Sequence, residues 1–185
     1  MSISTRLSTP EDVAAILELQ AKSIIASHSE VYGDRIVKSL LVSQERGRQQ
    51  NEETIVLAEN SSGELLGFAG LSDRRYYING IYVHPTFYRR GIGTQLLEAI
   101  EEMAYRRRYR HLSVMASPLA VEFFRQNGYL QVREVDFFSD SKTKIRCNLL
   151  CKELIPLTPT EKMRQKIWVV VFWIIVVLAF LGALL

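Results

Sequence analysis

Tyr82-Val83-His84-Pro85-Thr86-Phe87-Tyr88-Arg89-Arg90-Gly91-Ile92-Gly93-Thr94-Gln95-Leu96-Leu97 is the stretch on which the reading of this chain turns. It follows on from residues 76–83, which are rich in β-branched and aromatic side chains and have the composition of a strand. A proline then interrupts, two glycines follow close together, and apolar residues recur at helical spacing through Ile92, Leu96, Ile100, Met103 and Ala104. A strand, a glycine-containing turn and a helix, in that order, set the unpaired N–H groups of a helix start beside a strand end. Those groups and their partial positive charge hold phosphate well. Gly91 and Gly93 remove side chains that would obstruct a pyrophosphate, and Arg89 and Arg90 add positive charge. The same residues also suit a plain helix-entry turn. They are not the phosphate loop of an NTPase, because no Gly-Lys-Ser/Thr follows.

Working outward, residues 3–7 alternate as a short first strand. Ser8-Thr9-Pro10-Glu11-Asp12 is a helix start, with hydroxyl cap, early proline and acids at the positive end. Val13, Ile16, Leu17 and Leu19 continue it to Ile24, and residues 34–50 read as a second helix with Ile36, Val37, Leu40 and Leu41 on one side. The far end of that helix, Arg46-Gly47-Arg48, is polar. Residues 54–58 and 65–71 read as strands joined by the turn Asn60-Ser61-Ser62-Gly63, and with 76–83 they make an antiparallel meander. After the helix 91–107 come a strand at 111–116 and a short helix at 118–127, closed by Gly128. Two long strands, 129–138 and 142–154, pair across Ser139-Asp140-Ser141. The expected fold is α+β over residues 1–154: a mixed, mostly antiparallel twisted sheet flanked by helices.

Composition bounds the remainder. In 185 residues, 48% hydrophobic and 23% charged, there is material for one packed domain and an appendage. The net charge of +3 does not imply nucleic acid, and none is expected as a partner. Cys147 and Cys151 stand four residues apart on one strand, about 13 Å and beyond disulfide reach, so they read as reduced thiols of a cytosolic domain. No metal site is expected. No apolar leader follows Met1, so no signal peptide is expected. Residues 167–185 carry no charge and no proline. As a helix they would reach about 28 Å, close to the ~30 Å hydrocarbon thickness. They read as a single transmembrane helix and C-terminal anchor. Residues 155–166, with Pro156 and Pro159, read as a short linker. Lys162, Arg164 and Lys166 precede the apolar run and put the domain on the cytoplasmic face. The basic run Arg106-Arg107-Arg108-Tyr109-Arg110 reads as a solvated helix C-terminus, with Glu102 and Arg106 paired, or as a surface for anionic lipid.

The turn and its helix resemble the acetyl-CoA-binding motif of the GNAT superfamily, Gln/Arg-x-x-Gly-x-Gly/Ala, with Ile81-Tyr82-Val83 matching the strand before it. Ala120-Val121-Glu122-Phe123-Phe124-Arg125-Gln126-Asn127-Gly128-Tyr129 is similar to the second motif, Ala-x-x-Phe-Tyr-x-x-x-Gly-Phe. The resemblance covers residues 1–154. It implies a GNAT-like fold and an acyltransferase that moves an acetyl group from acetyl-CoA, as cosubstrate, to an amine of unknown identity at the membrane. The alternative is a catalytically weak, membrane-tethered acetyl-CoA sensor. The resemblance further implies that backbone N–H groups of Arg89, Arg90, Gly91, Ile92, Gly93 and Thr94 cradle the pyrophosphate. Ile81, Tyr82 and Val83 would pair with the pantetheine arm, the Ile81 N–H also polarising the thioester carbonyl.

Several positions depart from the pattern. Tyr88 stands where the motif has Gln or Arg, and Ser117 where an asparagine often helps hold CoA. Phe124 replaces the tyrosine that would protonate the leaving thiolate, and has no proton to give. Tyr77 and Asn79 occupy positions where some relatives carry a Glu or His base. Asn79 cannot act as one. Tyr77 would do so only with its ordinary pKa of ~10 strongly lowered, or by ordering a water, and it reads equally as a packed or substrate-lining aromatic. His84 reads as a turn residue before Pro85.

Overall fold

Strand alternation and helical spacing resolve into strands β1 (Ile3–Leu7), β2 (Glu53–Asn60), β3 (Leu65–Ser72), β4 (Tyr77–Val83), β5 (His111–Ala116), β6 (Leu130–Phe138) and β7 (Lys144–Glu153), and helices α1 (Val13–Gln50), α2 (Ile92–Arg106) and α3 (Val121–Gln126). These come from a computed structural model that describes residues 3–50, 52–139, 143–156, 158–161, 163, 164, 167, 172 and 176. Among the described residues the strands make one sheet in the order β1-β2-β3-β4-β5-β7-β6. β1 to β4 run antiparallel in sequence order, as the turn at Asn60 and Gly63 requires. β7 then inserts between β5 and β6, antiparallel to both.

The crossover through α2 makes β4 and β5 parallel, and they meet only at Tyr77↔Ser113 and Ile78↔Val114. Beyond those pairs the two strands part. On its other side β4 carries a bulge: Gly80 faces Gly70 and Ile78 faces Leu71, which leaves Asn79 as the extra residue. A bulge bends its strand and sharpens the local twist.

Successive strand residues face opposite layers. Val56, Ala58 and Ala69 belong to the large core built with Ile92, Leu96, Leu97 and Ile100 of α2, which also takes in Phe124 and Tyr129. Leu57 and Phe68 point the other way and pack on Ile16 and Leu19 of α1. A third cluster sets Leu40 against Ile145 and Cys147, with Tyr32, Ile36 and Phe137 around it. The two expected N-terminal helices are consecutive rather than separated by a loop. α1 runs past Ile24 and breaks only at Gly33 (φ 70, ψ 165). That conformation is essentially open to glycine alone, and the break redirects the second half of α1 toward β6 and β7.

The chain divides into residues 1–154 and 155–185. The second unit opens with the expected linker, residues 155–166. Thr158 Oγ1 accepts from the Glu161 N–H at 3.3 Å, and Glu161 Oε2 accepts from the Thr158 N–H at 2.9 Å. This capping box opens helical structure at Pro159, a position proline tolerates because its missing N–H has no partner in a first turn. Most of residues 167–185, the expected membrane span, lies outside the described residues. Among the described residues no helix is long and apolar enough to cross a membrane.

Candidate active site

The parting of β4 from β5 opens the sheet at the strand ends, next to the start of α2. Which backbone groups face this gap follows from the register. The His84 N–H donates to the Leu66 carbonyl at 2.8 Å, so Leu66 and His84 form a hydrogen-bonded pair. In an antiparallel ladder such pairs alternate. Phe68↔Tyr82 therefore also bonds inward, whereas the N–H and C=O of Ile81 and Val83 turn away from β3 and toward the gap.

The turn that follows is shaped for the helix start. The His84 side chain accepts from the Thr86 N–H at 3.4 Å, the turn role expected of it. Arg89 (φ 61) and Gly91 (φ 79) both adopt left-handed conformations and curl the chain into α2. A Cβ built at Gly91 meets nothing within 4 Å, so glycine is required there by the backbone angle, and the space above it is open. At Gly93 the reason differs: a Cβ would lie 3.3 Å from Phe123 Cε2, so glycine lets α3 approach.

A cavity of about 700 Å³ occupies the gap and spreads under α1. Of the residues singled out from the sequence, Tyr77, Ile81, Tyr82, Val83, Arg89, Gly91, Ile92, Gly93, Thr94, Ser117 and Phe124 line it. Arg90 does not; its guanidinium lies 5.4 Å from the centre of the Phe87 ring, drawn there by cation–π attraction. Tyr88, in place of the motif's Gln or Arg, ties the turn to α1 by donating to the Ser23 carbonyl at 3.4 Å.

Tyr77, the weak candidate for the base, lies in surroundings that do not favour that role. Burial pushes its phenol up to about 12, opposite to the lowering that role needs, and its oxygen accepts from the Met115 N–H at 3.1 Å. It is a neutral, cavity-lining aromatic that pins the strand ends together. Phe124 is 4% exposed and packs edge-on against Phe123 and Tyr129. Asn79 donates from Nδ2 to Glu53 Oε2 at 2.8 Å. Burial also raises the Cys147 thiol, which disfavours its thiolate. Among the described residues no cluster could hold a metal ion.

Sequence reasoning missed what α1 contributes. Ser23, Ile24, Ser27, His28 and Gln44 line the cavity, as do Phe137, Ile145 and Cys147 from the last two strands. The signal was present: 23, 24, 27 and 28 share one helical face, but the first helix was expected to stop at Ile24. Arg48 was read as part of a polar helix end. Its side chain is instead only 9% exposed, and bonds Glu53 Oε1 at 2.6 Å and Gln20 Oε1 at 2.9 Å. Its guanidinium also stacks 4.8 Å from the Phe68 ring centre. The Tyr82 hydroxyl joins this group by donating to Gln44 Oε1 at 3.1 Å.

The family model for the acetyltransferase (GNAT) domain matches residues 15–141. No curated protein matches the sequence significantly. Among solved structures, a GCN5-related N-acetyltransferase from Rhodopseudomonas palustris is similar, with a TM-score of 0.74, 25% identity, and coverage of 83% of this chain and 96% of that one. The PaiA N-acetyltransferase from Thermoplasma acidophilum, solved with coenzyme A, has a TM-score of 0.65 and 17% identity, covering 83% of this chain and 99% of its own. YncA from Salmonella typhimurium, solved with acetyl-CoA, has a TM-score of 0.61 and 17% identity, covering 85% and 97%.

Proposed function

The chain belongs to the GNAT acetyltransferase family, and from that premise we propose that it moves an acetyl group from acetyl-CoA to the nitrogen of an amine. One observation carries the reading. The outward-facing backbone of Ile81 and Val83 stands beside a left-handed turn and a helix start, all lining one cavity. An extended pantetheine arm pairs with β4 there as an added strand. The first turn of α2 takes the pyrophosphate on its N–H groups, where the open space above Gly91 admits it. The Ile81 N–H then polarises the thioester carbonyl as the amine attacks, and holding the two reactants together supplies much of the rate. Phe124 gives no proton, so the departing thiolate takes one from water.

The finer reading is that the domain is held at the cytoplasmic face of a membrane. Its support is the uncharged run 167–185, the cations Lys162, Arg164 and Lys166 before it, and the exposure of Ile167 (54%) and Phe172 (61%).

Isothermal titration of acetyl-CoA tests the cofactor step. Micromolar binding is expected for the wild type, with loss in Gly91→Glu, which adds a negative charge and a strained φ. A folded wild-type protein that fails to bind would overturn the reading. Tight binding with no CoA release in the presence of amines would favour the sensor, to which the missing acid at Phe124 points.

A further inference from the structure

We propose that His28 is the general base that takes the proton from the acceptor amine, an assignment that rests on the acetyltransferase reading above. His28 lies on α1 and lines the same cavity as Ile81 and Val83, on a wall that the cofactor motifs do not supply. Its tautomer follows from its neighbours. Ser27 Oγ lies 2.6 Å from the Ser23 carbonyl oxygen, which can only accept, so the single hydroxyl proton of Ser27 goes there. Ser27 Oγ also lies 2.6 Å from His28 Nδ1. With its proton spent, the hydroxyl accepts, and Nδ1 carries the hydrogen. Nε2 is then left with its lone pair, as a base requires. The Ser23 carbonyl also receives the Tyr88 hydroxyl at 3.4 Å, so a polar chain runs from the phosphate turn to the imidazole. Tyr32 stacks on the ring at 5.6 Å and steadies its plane. A base oriented by a second group, on the wall of the cavity that Ile81 and Val83 also line, is an arrangement suited to proton abstraction.

Burial lowers the His28 pKa, opposed in part by a hydrogen bond to the Ile24 backbone, and the net lowering favours the neutral ring. Tyr32 on its own helix stacks on it, and the ionisable groups that line the same cavity are Tyr77 and Tyr82 from β4, Tyr88 and Arg89 from the turn, and Cys147 from β7. Burial raises Tyr32, Tyr77, Tyr82 and Cys147, so these stay neutral where His28 titrates. In the reaction the amine lone pair forms the C–N bond to the acetyl carbon, and Nε2 takes one N–H proton. The C–S bond then breaks with its electrons on sulfur. The thiolate gains a proton from solvent while the imidazolium returns one, so amine and acetyl-CoA become amide and CoA with no proton gained or lost.

The test uses the full chain, acetyl-CoA, and three probe amines: phenethylamine, hexylamine and spermidine. The first two suit a wall where Leu40, Phe137 and Ile145 contribute and no described lining residue is acidic. His28→Gln should bind acetyl-CoA as the wild type does, while kcat/KM falls about a hundredfold. The acid limb of the wild-type profile, expected below about 6.5, should vanish in the variant. Retention of activity and of that limb in His28→Gln would overturn the assignment and leave the acetyltransferase reading intact. Joint loss of cofactor binding and turnover would also overturn it, since His28 would then be structural. Wild-type protein that binds acetyl-CoA but acetylates none of the three amines would sink the transfer reading and the base with it. Nitrogen-15 NMR gives a readout independent of activity. The neutral ring should be the Nδ1–H form, shifting toward Nε2–H in Ser27→Ala; an Nε2–H wild type would refute the proposal.

Discussion

The Glu53 side chain is 4% exposed, and both of its oxygens are engaged, one by Arg48 at 2.6 Å and the other by Asn79 at 2.8 Å. Because a carboxylate paired with arginine only accepts, Glu53 fixes the Asn79 amide with its NH₂ toward the carboxylate. Room for the carboxylate comes from Gly70, where a Cβ would run into Glu53 Oε2. Glu53→Gln leaves the Arg48 guanidinium buried without its counter-charge, which typically costs about 3–5 kcal/mol. Urea denaturation should show a loss of that order. The double variant Arg48→Met/Glu53→Gln should recover most of it, because the two changes are coupled. A loss below about 1 kcal/mol, the range of exposed pairs, would mean that water reaches the site. None of this was legible beforehand. Arg48 and Glu53 are ordinary charged residues in sequence, and only the packing of α1 on β2 and β3 seals them from water.

The two ends of α2 show how local backbone chemistry positions the site. Its start needs Gly91 in a left-handed conformation to turn the N–H groups toward the cavity. Its end is a Schellman motif: the Tyr109 N–H reaches the Ala104 carbonyl at 2.9 Å and the Arg108 N–H the Tyr105 carbonyl at 2.9 Å. The left-handed residue there is Arg108 (φ 62), where glycine is usual. Arg108→Gly relieves that strain and should stabilise the domain by about 0.5–1 kcal/mol, offset in part by the added freedom of the unfolded chain. Scanning calorimetry should find a Tm higher by about 1–4 °C; a lower Tm would show that the arginine side chain matters more than its backbone. The neighbouring cations are engaged in the protein itself. Arg106 pairs with Glu102 at 2.8 Å and Arg107 with Asp73 at 2.8 Å. This fits the reading of the basic run as a helix C-terminus.

Across the fold, a single feature organises the chemistry. A mostly antiparallel sheet is interrupted by one parallel pair, β4 and β5, that separates after two residues. Helix crossovers force the parallel pairing, the bulge at Asn79 bends β4 away, and the gap receives α1, the phosphate turn and the last two strands. Residues 1–154 form a unit with its own core, so this part is expected to fold without residues 155–185. Full-length protein should float with lipid vesicles in high salt, while the fragment 1–154 stays in the aqueous layer. Flotation that salt abolishes would assign the attachment to surface cations and not to the apolar run.

The glycine-bearing turn, the element order and the two motifs were readable in sequence because they depend on local backbone demands. Gly91 must be left-handed, apolar residues must recur at the period of their element, and a strand must end where a proline and a turn interrupt it. Those constraints act over a few residues and leave their mark in the residues themselves. The insertion of β7 between β5 and β6, the burial of Arg48 with Glu53, and the arrival of His28 at the cavity wall depend on contacts between distant segments. Ser27 and His28 are adjacent polar residues on a helix in any reading of the sequence. They become an oriented base on the wall of a cleft because α1 continues to Gly33 and lies over the gap between two parting strands.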